Sequence, residues 1–351
     1  MVRGKYEVVF HGNQYLKRGR WVNLKQVKMK DIAEALGISI VSVSKALSGK
    51  DGVSEKRKNE IIKKAEELGY YKTATKARTE KFIGVIVLDQ FFSVNAFYYN
   101  LLKSVMIYAS FHKYTGLMEV LTPTMEENLT APSFLRDKTV QGYIILGQVE
   151  KKYLKVIENY HVPHVLLDFF LPDENIDSVV VNSLDGVYKL TKDLIKRGYR
   201  DLAFVGSVNK FEFVMLRYLG FLKAVKEVKD LIPLKYRLID REGRENLLPI
   251  NLDISLPDVF VCSCDETAYG LMSQLNKAGI KIPHDVGVTG FDDSSYAALC
   301  KPPLTTVKVD VDKMGEIAIE TLIENMNNSQ RLARMISVPT NIVIRESAKK
   351  K

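Results

Sequence analysis

Asp31-Ile-Ala-Glu-Ala-Leu-Gly-Ile-Ser39, followed by Ile40-Val-Ser-Val-Ser-Lys-Ala-Leu47, decides how the first quarter of the chain folds. Residues 31–36 read as a short helix stopped by Gly37, the residue that tolerates the left-handed position after a helix. Ser39 stands where a hydroxyl caps a second helix, 40–47, which ends before the turn Ser48-Gly-Lys-Asp-Gly52. Ser54 opens a third helix with Glu55 in its first turn, where a carboxylate complements the dipole. Ile61, Ile62, Ala65 and Leu68 recur along it at helical spacing and mark an expected buried face, and Gly69 ends it. Short helices in this order, the first two joined by a tight glycine-containing turn, predict a helix-turn-helix headpiece.

The middle helix carries the chemistry. Val43 and Leu47, four residues apart, can face the core, which leaves Ile40, Val41, Ser44 and Lys45 outward. Hydroxyls at a helix N-terminus, here Ser39, Ser42 and Ser44, accompany backbone N–H groups that suit phosphates. Lys45 can donate to guanine O6 and N7, and Ile40 or Val41 can meet a thymine methyl. The alternative for the serines is capping alone. Charge favours the nucleic-acid reading. Residues 1–81 hold 19 Lys/Arg against 9 Asp/Glu, a balance of +10, whereas residues 82–351 balance at −1. A basic segment on a near-neutral body suggests a polyanionic partner for that segment, the alternative being a basic tail that only aids solubility.

The chain is 351 residues long, which exceeds one compact core and implies two or three domains. No apolar run reaches the roughly 18–20 residues of a membrane span, and three cysteines do not make a disulfide framework. These features predict a cytoplasmic protein with no membrane partner. Cys262 and Cys264 alternate across a strand, the histidines show no metal spacing, and no Walker, Gly-x-Ser-x-Gly or Gly-x-Gly-x-x-Gly motif occurs. The expectation is therefore no metal, no cofactor and no enzymatic activity.

From Phe82 onward, apolar runs of strand length at 82–88, 142–146, 164–167, 178–181, 202–205, 259–261 and 286–289 alternate with helical stretches at 100–112, 187–197, 212–228, 266–278 and 313–325. That alternation predicts parallel, doubly wound sheets, and about 270 residues suit two of them. Ligands in such folds sit at the carboxyl ends of strands, and a cleft between lobes presents both sets of ends to one molecule. Asp89, Asp168, Asp265 and Asp292 follow predicted strands there, as acceptors for ligand hydroxyls, with Arg217 as donor. Helix capping is the competing explanation for each carboxylate, and most of all for Asp265.

Asp31–Ser39, Val43-Ser-Lys-Ala-Leu47, Val53-Ser54 and Glu67-Leu-Gly-Tyr70 together resemble the headpiece of the lactose-repressor/galactose-repressor (LacI/GalR) family. The body resembles the same family through Asn95-Ala-Phe-Tyr98, Leu194-Ile-Lys-Arg-Gly-Tyr199, Arg217-Tyr-Leu-Gly-Phe221, Val288-Thr-Gly-Phe-Asp-Asp293 and Pro302-Pro-Leu-Thr-Thr306. The resemblance implies a small all-α headpiece on an α/β periplasmic-binding-protein-like core of two doubly wound parallel-sheet lobes. It assigns base reading to Ile40, Val41 and Lys45 and backbone contacts to Ser39, Ser42 and Ser44. It assigns effector contacts to Arg217 and Asp292, with Asp89, Phe97, Asp168 and Cys264 as weaker candidates.

This sequence departs from that pattern in places. Lys45 stands where the family commonly has Arg, and Cys264 where it usually has Asn. The linker Tyr71–Lys81 has neither the proline nor the wedge leucine of the usual hinge and is about four residues short; Ala77 and Arg78 are the part that remains, expected to touch DNA. Residues 1–27 precede the usual family start. Their Lys17-Arg-Gly-Arg20 run is what a translated purine-rich ribosome-binding site would encode, so the natural start is expected near Val22, Leu24 or Met29; a basic arm is the alternative.

The expected organisation is an N-terminal extension (1–27), a headpiece (28–70), a shortened hinge (71–81), a two-lobed core (82–348) and a basic tail (349–351). Lobe 1 is expected over about 82–181 and 309–338, and lobe 2 over about 182–308 and 339–348. The expected protein is a homodimeric, ligand-responsive transcriptional regulator that binds a pseudo-palindromic DNA operator, a repressor of sugar-utilisation genes whose effector is a sugar or sugar derivative, with a nucleobase or sugar phosphate as the alternative. The rival is a cytoplasmic small-molecule-binding module that has lost specific DNA binding.

Overall fold

The computed structural model describes residues 10–11, 14–17, 20–23, 27–48, 51–68, 70, 81–89, 96–172, 174–228, 237–242, 246–251, 255–328 and 331–349. The chain divides into two compact units, Met1–Glu80 and Lys81–Lys351. In the first, strands β1 (Phe10–His11), β2 (Gln14–Lys17) and β3 (Arg20–Asn23) form an antiparallel sheet in sequential order. Three helices follow: α1 (Met29–Leu36), α2 (Ile40–Ser48) and α3 (Glu55–Glu67). Gly37 closes α1 at φ 60°, and the Ser39 Oγ accepts the Ser42 N–H at 3.1 Å to open α2.

Ile32, Ala33, Val43, Ala46, Ile61 and Ala65 make the headpiece core, with Leu36, Leu47 and Tyr70 packed around it. Ile62 and Leu68, expected on the buried face of α3, are exposed instead. One residue turns a helix by 100°, so Ile61 and Ala65, four apart, take the inward stripe and Ile62 falls outside it. Gly69, Ala77 and Arg78 lie outside the described residues.

The second unit holds a six-stranded sheet built from β4 (Lys81–Leu88), β5 (Tyr114–Leu121), β6 (Gly142–Leu146), β7 (His164–Leu167), β8 (Ser178–Val181) and, from far along the chain, β16 (Met335–Val338). Their order is β16-β8-β7-β6-β4-β5, and every pairing is parallel. β9 (Leu202–Val205), β10 (Arg237–Leu238), β13 (Val259–Cys262) and β14 (Gly287–Thr289) form a second parallel sheet in the order β10-β9-β13-β14. β11 (Arg241–Glu242) and β12 (Asn246–Leu247) make a short antiparallel ladder beside it. β15 (Thr306–Val309) pairs antiparallel with β17 (Thr340–Val343).

The chain leaves the first sheet after β8, returns through the Val311–Asn327 helix after β15, and leaves again between β16 and β17. That helix packs on the Ala96–Phe111 helix and on β6, β7 and β8. The Ser183–Lys196 and Glu212–Lys226 helices pack so closely that a Cβ on Gly220 would lie 2.2 Å from the Leu184 carbonyl oxygen. Glycine is needed there for approach, not for its dihedral angles. β5 escapes the sequence reading because it is an edge strand interrupted by Gly116 and Glu119, with no continuous apolar run. Among the described residues no helix is long and apolar enough to cross a membrane.

Candidate DNA-reading and effector sites

Each unit carries its own candidate site. On the headpiece, Val43 is fully buried and Leu47 half-buried, which turns the opposite side of α2 to solvent. Ile40 is 48% and Val41 63% exposed, and Ser44 and Lys45 are exposed beside them. Leaving two β-branched apolar side chains about half in water forgoes roughly half of the 1.5–3 kcal/mol that full burial of each would contribute. Such a surface on a cationic helix is what thymine methyls and guanine edges would cover. Ser39 and Ser42 are joined by a 2.9 Å hydroxyl contact, and Ser39 also caps the helix, so capping and phosphate contact are compatible here. The Lys45 ammonium lies back over the following turn, 3.0 Å from where a Cβ on Gly52 would sit.

In the second unit the candidate effector residues gather where strands end. Asp168 follows β7 at φ 67°, and Asp292 lies beyond β14 at φ 108°. Arg217, 3% exposed, reaches from the Glu212–Lys226 helix. Its Nη1 donates to the Ser263 carbonyl at 2.6 Å, its Nη2 to Asp292 Oδ1 at 3.3 Å, and its Nε to Ser183 Oγ at 3.4 Å. The guanidinium stacks 3.8 Å from the Phe291 ring centre and 4.9 Å from that of Phe213. Asp168 accepts a 2.8 Å hydrogen bond from the Tyr98 hydroxyl, and Phe97 sits edge-on to Tyr98 with ring centres 5.2 Å apart.

The electrostatics show a cluster short of positive charge. Burial lifts the Asp168 carboxyl from 3.8 to about 6, against the pull of the Tyr98 hydrogen bond and the Arg217 charge. Burial also pushes Asp292 well above the usual carboxylate range; Arg217 opposes this, while Asp265 and Asp168 add to it. The Arg217–Asp292 pair is side-chain buried on both sides, so its attraction is offset by the loss of water. A ligand whose hydroxyls donate to these carboxylates replaces that lost water.

Not every expected residue joins the cluster. Asp89 stands at the end of β4 but is exposed, and no hydrogen bond among the described residues links it to the others. Cys264, half-buried, is the N-cap of the Asp265–Lys277 helix, its Sγ accepting the Thr267 N–H at 3.5 Å. Burial pushes its thiol up to about 11 although the Arg241 charge pulls the other way. Asp265, the likeliest cap by sequence, is instead the helix's first residue and fully buried, holding Thr306 Oγ1 at 2.5 Å and the Ser294 N–H at 2.7 Å.

The residues that sequence reasoning missed are Tyr98, Asp240, Arg241 and Glu266. Tyr98 was visible only as part of a motif. Asp240 and Arg241 fall in Leu238-Ile-Asp-Arg-Glu242, which gives no strand or helix signal long enough to place them.

Residues 28–72 match the profile of bacterial regulatory proteins of the lacI family, and residues 191–348 match the periplasmic binding protein-like domain. The HTH-type transcriptional repressor PurR of Vibrio parahaemolyticus is 28% identical over 332 residues, covering 92% of this chain and 98% of that protein. The ribose operon repressor of Haemophilus influenzae is 26% identical, covering 91% of this chain and 98% of its own length. In fold, the chain is similar to the lac repressor dimer bound to operator and an anti-inducer, with TM-score 0.72, 21% identity, and 92% and 99% of the two chains covered. A headpiece profile, a core profile and full-length relatives therefore agree: the chain carries a lacI-type helix-turn-helix headpiece followed by a periplasmic-binding-protein-like core, and its relatives are transcriptional repressors.

Proposed function

We propose that this chain is a ligand-responsive transcriptional repressor that reads a pseudo-palindromic operator as a homodimer and answers to a sugar or sugar derivative. The observation that carries the DNA half is the exposed face of α2, where Ile40, Val41 and Lys45 stand on a basic headpiece with a formed core. Ile40, Val41 and Lys45 read base edges, while Ser39, Ser42 and Ser44 meet the backbone. Ala77 and Arg78, in the hinge, add contacts to the flanking duplex. Residues 28–70 act as the headpiece, 71–81 as hinge and 82–348 as sensor, with the effector held between lobes of about 82–181 with 309–338 and 182–308 with 339–348.

The effector half rests on Arg217 and Asp292 with Asp168 and Phe97 beside them; Cys264 and the exposed Asp89 are the weaker members of the set. The buried carboxylates are acceptors in search of donors, which sugar hydroxyls supply. One relative named for the ribose operon and a similar fold solved with cellobiose favour a sugar. The repressor relatives favour a cytoplasmic regulator over an enzyme. The dimer is supported by Tyr99, Ile107 and Phe111, exposed four or eight residues apart on one helix face, beside exposed Met118 on the edge strand β5. Apolar side chains left exposed along one helix face, with Lys103 between them, suit burial against a second copy.

Selection of duplexes from a random pool by the full chain tests the reading. Enrichment of a two-fold symmetric motif is expected. A pool that stays random would favour the rival, a binding module that no longer reads an operator.

A further inference from the structure

The stretch after β10 is fastened more firmly than an ordinary loop. Asp240, 2% exposed, accepts the Ser207 N–H at 2.9 Å, the Thr267 hydroxyl at 2.6 Å and the Ser263 hydroxyl at 3.3 Å. Ser207 Oγ in turn accepts the Asp240 and Arg241 N–H groups and donates to the Arg241 carbonyl. Ser207, Ser263 and Thr267 are all buried, so this network fixes the backbone from which Arg241 projects.

Arg241 projects to the ends of the same strands that carry the effector cluster. Its Nη2 lies 3.4 Å from Glu266 Oε2 and 3.9 Å from Cys264 Sγ, and its Nε 3.5 Å from Asp240 Oδ2. Arg217 meanwhile holds the Ser263 carbonyl and Asp292. Two guanidinium–carboxylate pairs thus bracket the consecutive residues Ser263 and Cys264. Both pairs, at 3.3 and 3.4 Å, are longer than the 2.7–2.9 Å typical of a charge-assisted hydrogen bond. Either can open slightly to admit a hydroxyl, which accepts from arginine and donates to the carboxylate.

We propose that Arg241 and Glu266 form a second polar subsite of the effector pocket, taking an uncharged hydroxylated end of the ligand while Arg217 and Asp292 take another. The proposal rests on the ligand-responsive reading above and deepens it to neutral polyhydroxylated ligands over phosphorylated ones. Charge supports that choice. Among the described residues here, two guanidiniums stand among the carboxylates of Asp168, Asp240, Glu266 and Asp292. A phosphate would add to an existing negative excess, whereas sugar hydroxyls bring donors. Cys264 contributes little: a neutral thiol is a weak donor and a weak acceptor, so recognition at its position passes to Arg241 and Glu266.

The test uses the full chain, thermal shift and calorimetry. The probes are D-ribose, D-xylose, D-glucose, cellobiose and adenosine, together with ribose 5-phosphate and glucose 6-phosphate. The best neutral probe is then measured against Glu266→Gln, Arg241→Gln, Arg241→Lys and Arg217→Gln. We expect Glu266→Gln and Arg241→Gln each to weaken it at least about tenfold, as loss of a charged hydrogen bond does, with partial recovery in Arg241→Lys. Should Arg241→Gln fold poorly, Glu266→Gln decides, because it leaves the Asp240 network in place. Weakening by Arg217→Gln alone overturns this subsite and leaves the effector reading standing. A bound probe unaffected by any variant overturns both. A phosphorylated probe binding more tightly than its neutral parent, or no neutral probe binding, overturns the choice of ligand class.

Discussion

Replacing Asp168 by Asn should make the unliganded protein more stable at neutral pH, an unusual direction for a buried residue. Asn keeps an oxygen for the Tyr98 hydroxyl and tolerates the left-handed backbone at this position, but it carries no charge. Burial raises the Asp168 carboxyl from 3.8 to about 6. Each pKa unit is worth about 1.4 kcal/mol, so keeping Asp168 ionised at pH 7.5 costs the folded state about 3 kcal/mol. The folded carboxyl binds its proton more tightly than the unfolded one. Stability is therefore fully supported below about pH 4 and declines as pH rises toward 6.

Asp168→Asn removes that one slope. The variant should match the parent near pH 4 and exceed it by about 1–3 kcal/mol at pH 7.5. Asp265, raised to about 7, keeps its own slope in both proteins, whereas Asp292 loses the part of its upward push that the Asp168 charge supplies, which adds to the variant's advantage at high pH. Denaturant unfolding at pH 4, 5.5 and 7.5 measures the difference, and effector binding by the same variant should fall. A variant less stable than the parent at pH 7.5, or one whose advantage is the same at pH 4, would refute the argument that this carboxylate is held at the expense of stability.

Three further outcomes are expected. Lys45→Ala should reduce discrimination between the selected operator and a variant altered at one base by about 1–3 kcal/mol, read by competition anisotropy; unchanged relative affinities would mean that Lys45 stays folded over the Gly52 turn and reads no base. Ile32→Ala deletes a fully buried side chain from a six-residue core and should cost the headpiece about 2–5 kcal/mol. DNA binding should vanish while the melting of the second unit is unmoved, and retained operator binding would show the headpiece core to be misassigned. Gly220→Ala drives a Cβ into the Leu184 carbonyl and must separate two helices, one of which carries Arg217. Both the unfolding midpoint and effector affinity should drop, and a variant equal to the parent in both would contradict the close packing.

How much was legible in the sequence differs between elements for physical reasons. Helix periodicity and caps place α1, α2 and α3, because Gly37 and Ser39 punctuate them with residues that do one job each. The inner strands β4, β6, β7, β8, β9 and β13 are near-continuous apolar runs because both faces of a parallel sheet are covered. β5 at the edge and the short β10–β12 region lack that pattern. Asp168, Arg217 and Asp292 were legible because strand ends and a motif point to them. Arg241 and Glu266 were not, since their meeting depends on buried hydroxyl contacts between segments more than 20 residues apart, such as the bond from Thr267 to Asp240. Asp265 misled for the same reason: its partner Thr306 lies far along the chain.

The account stands on coupling between a DNA-reading headpiece and a ligand pocket built around Arg217 and Asp292. Operator affinity of the full chain, measured with and without the best sugar probe for the parent and for Arg217→Gln, tests it most directly. The account predicts that the probe shifts the parent's affinity at least about tenfold, in the range of ordinary allosteric coupling, and leaves Arg217→Gln unmoved. A parent that binds the probe and holds its operator with unchanged affinity would contradict it.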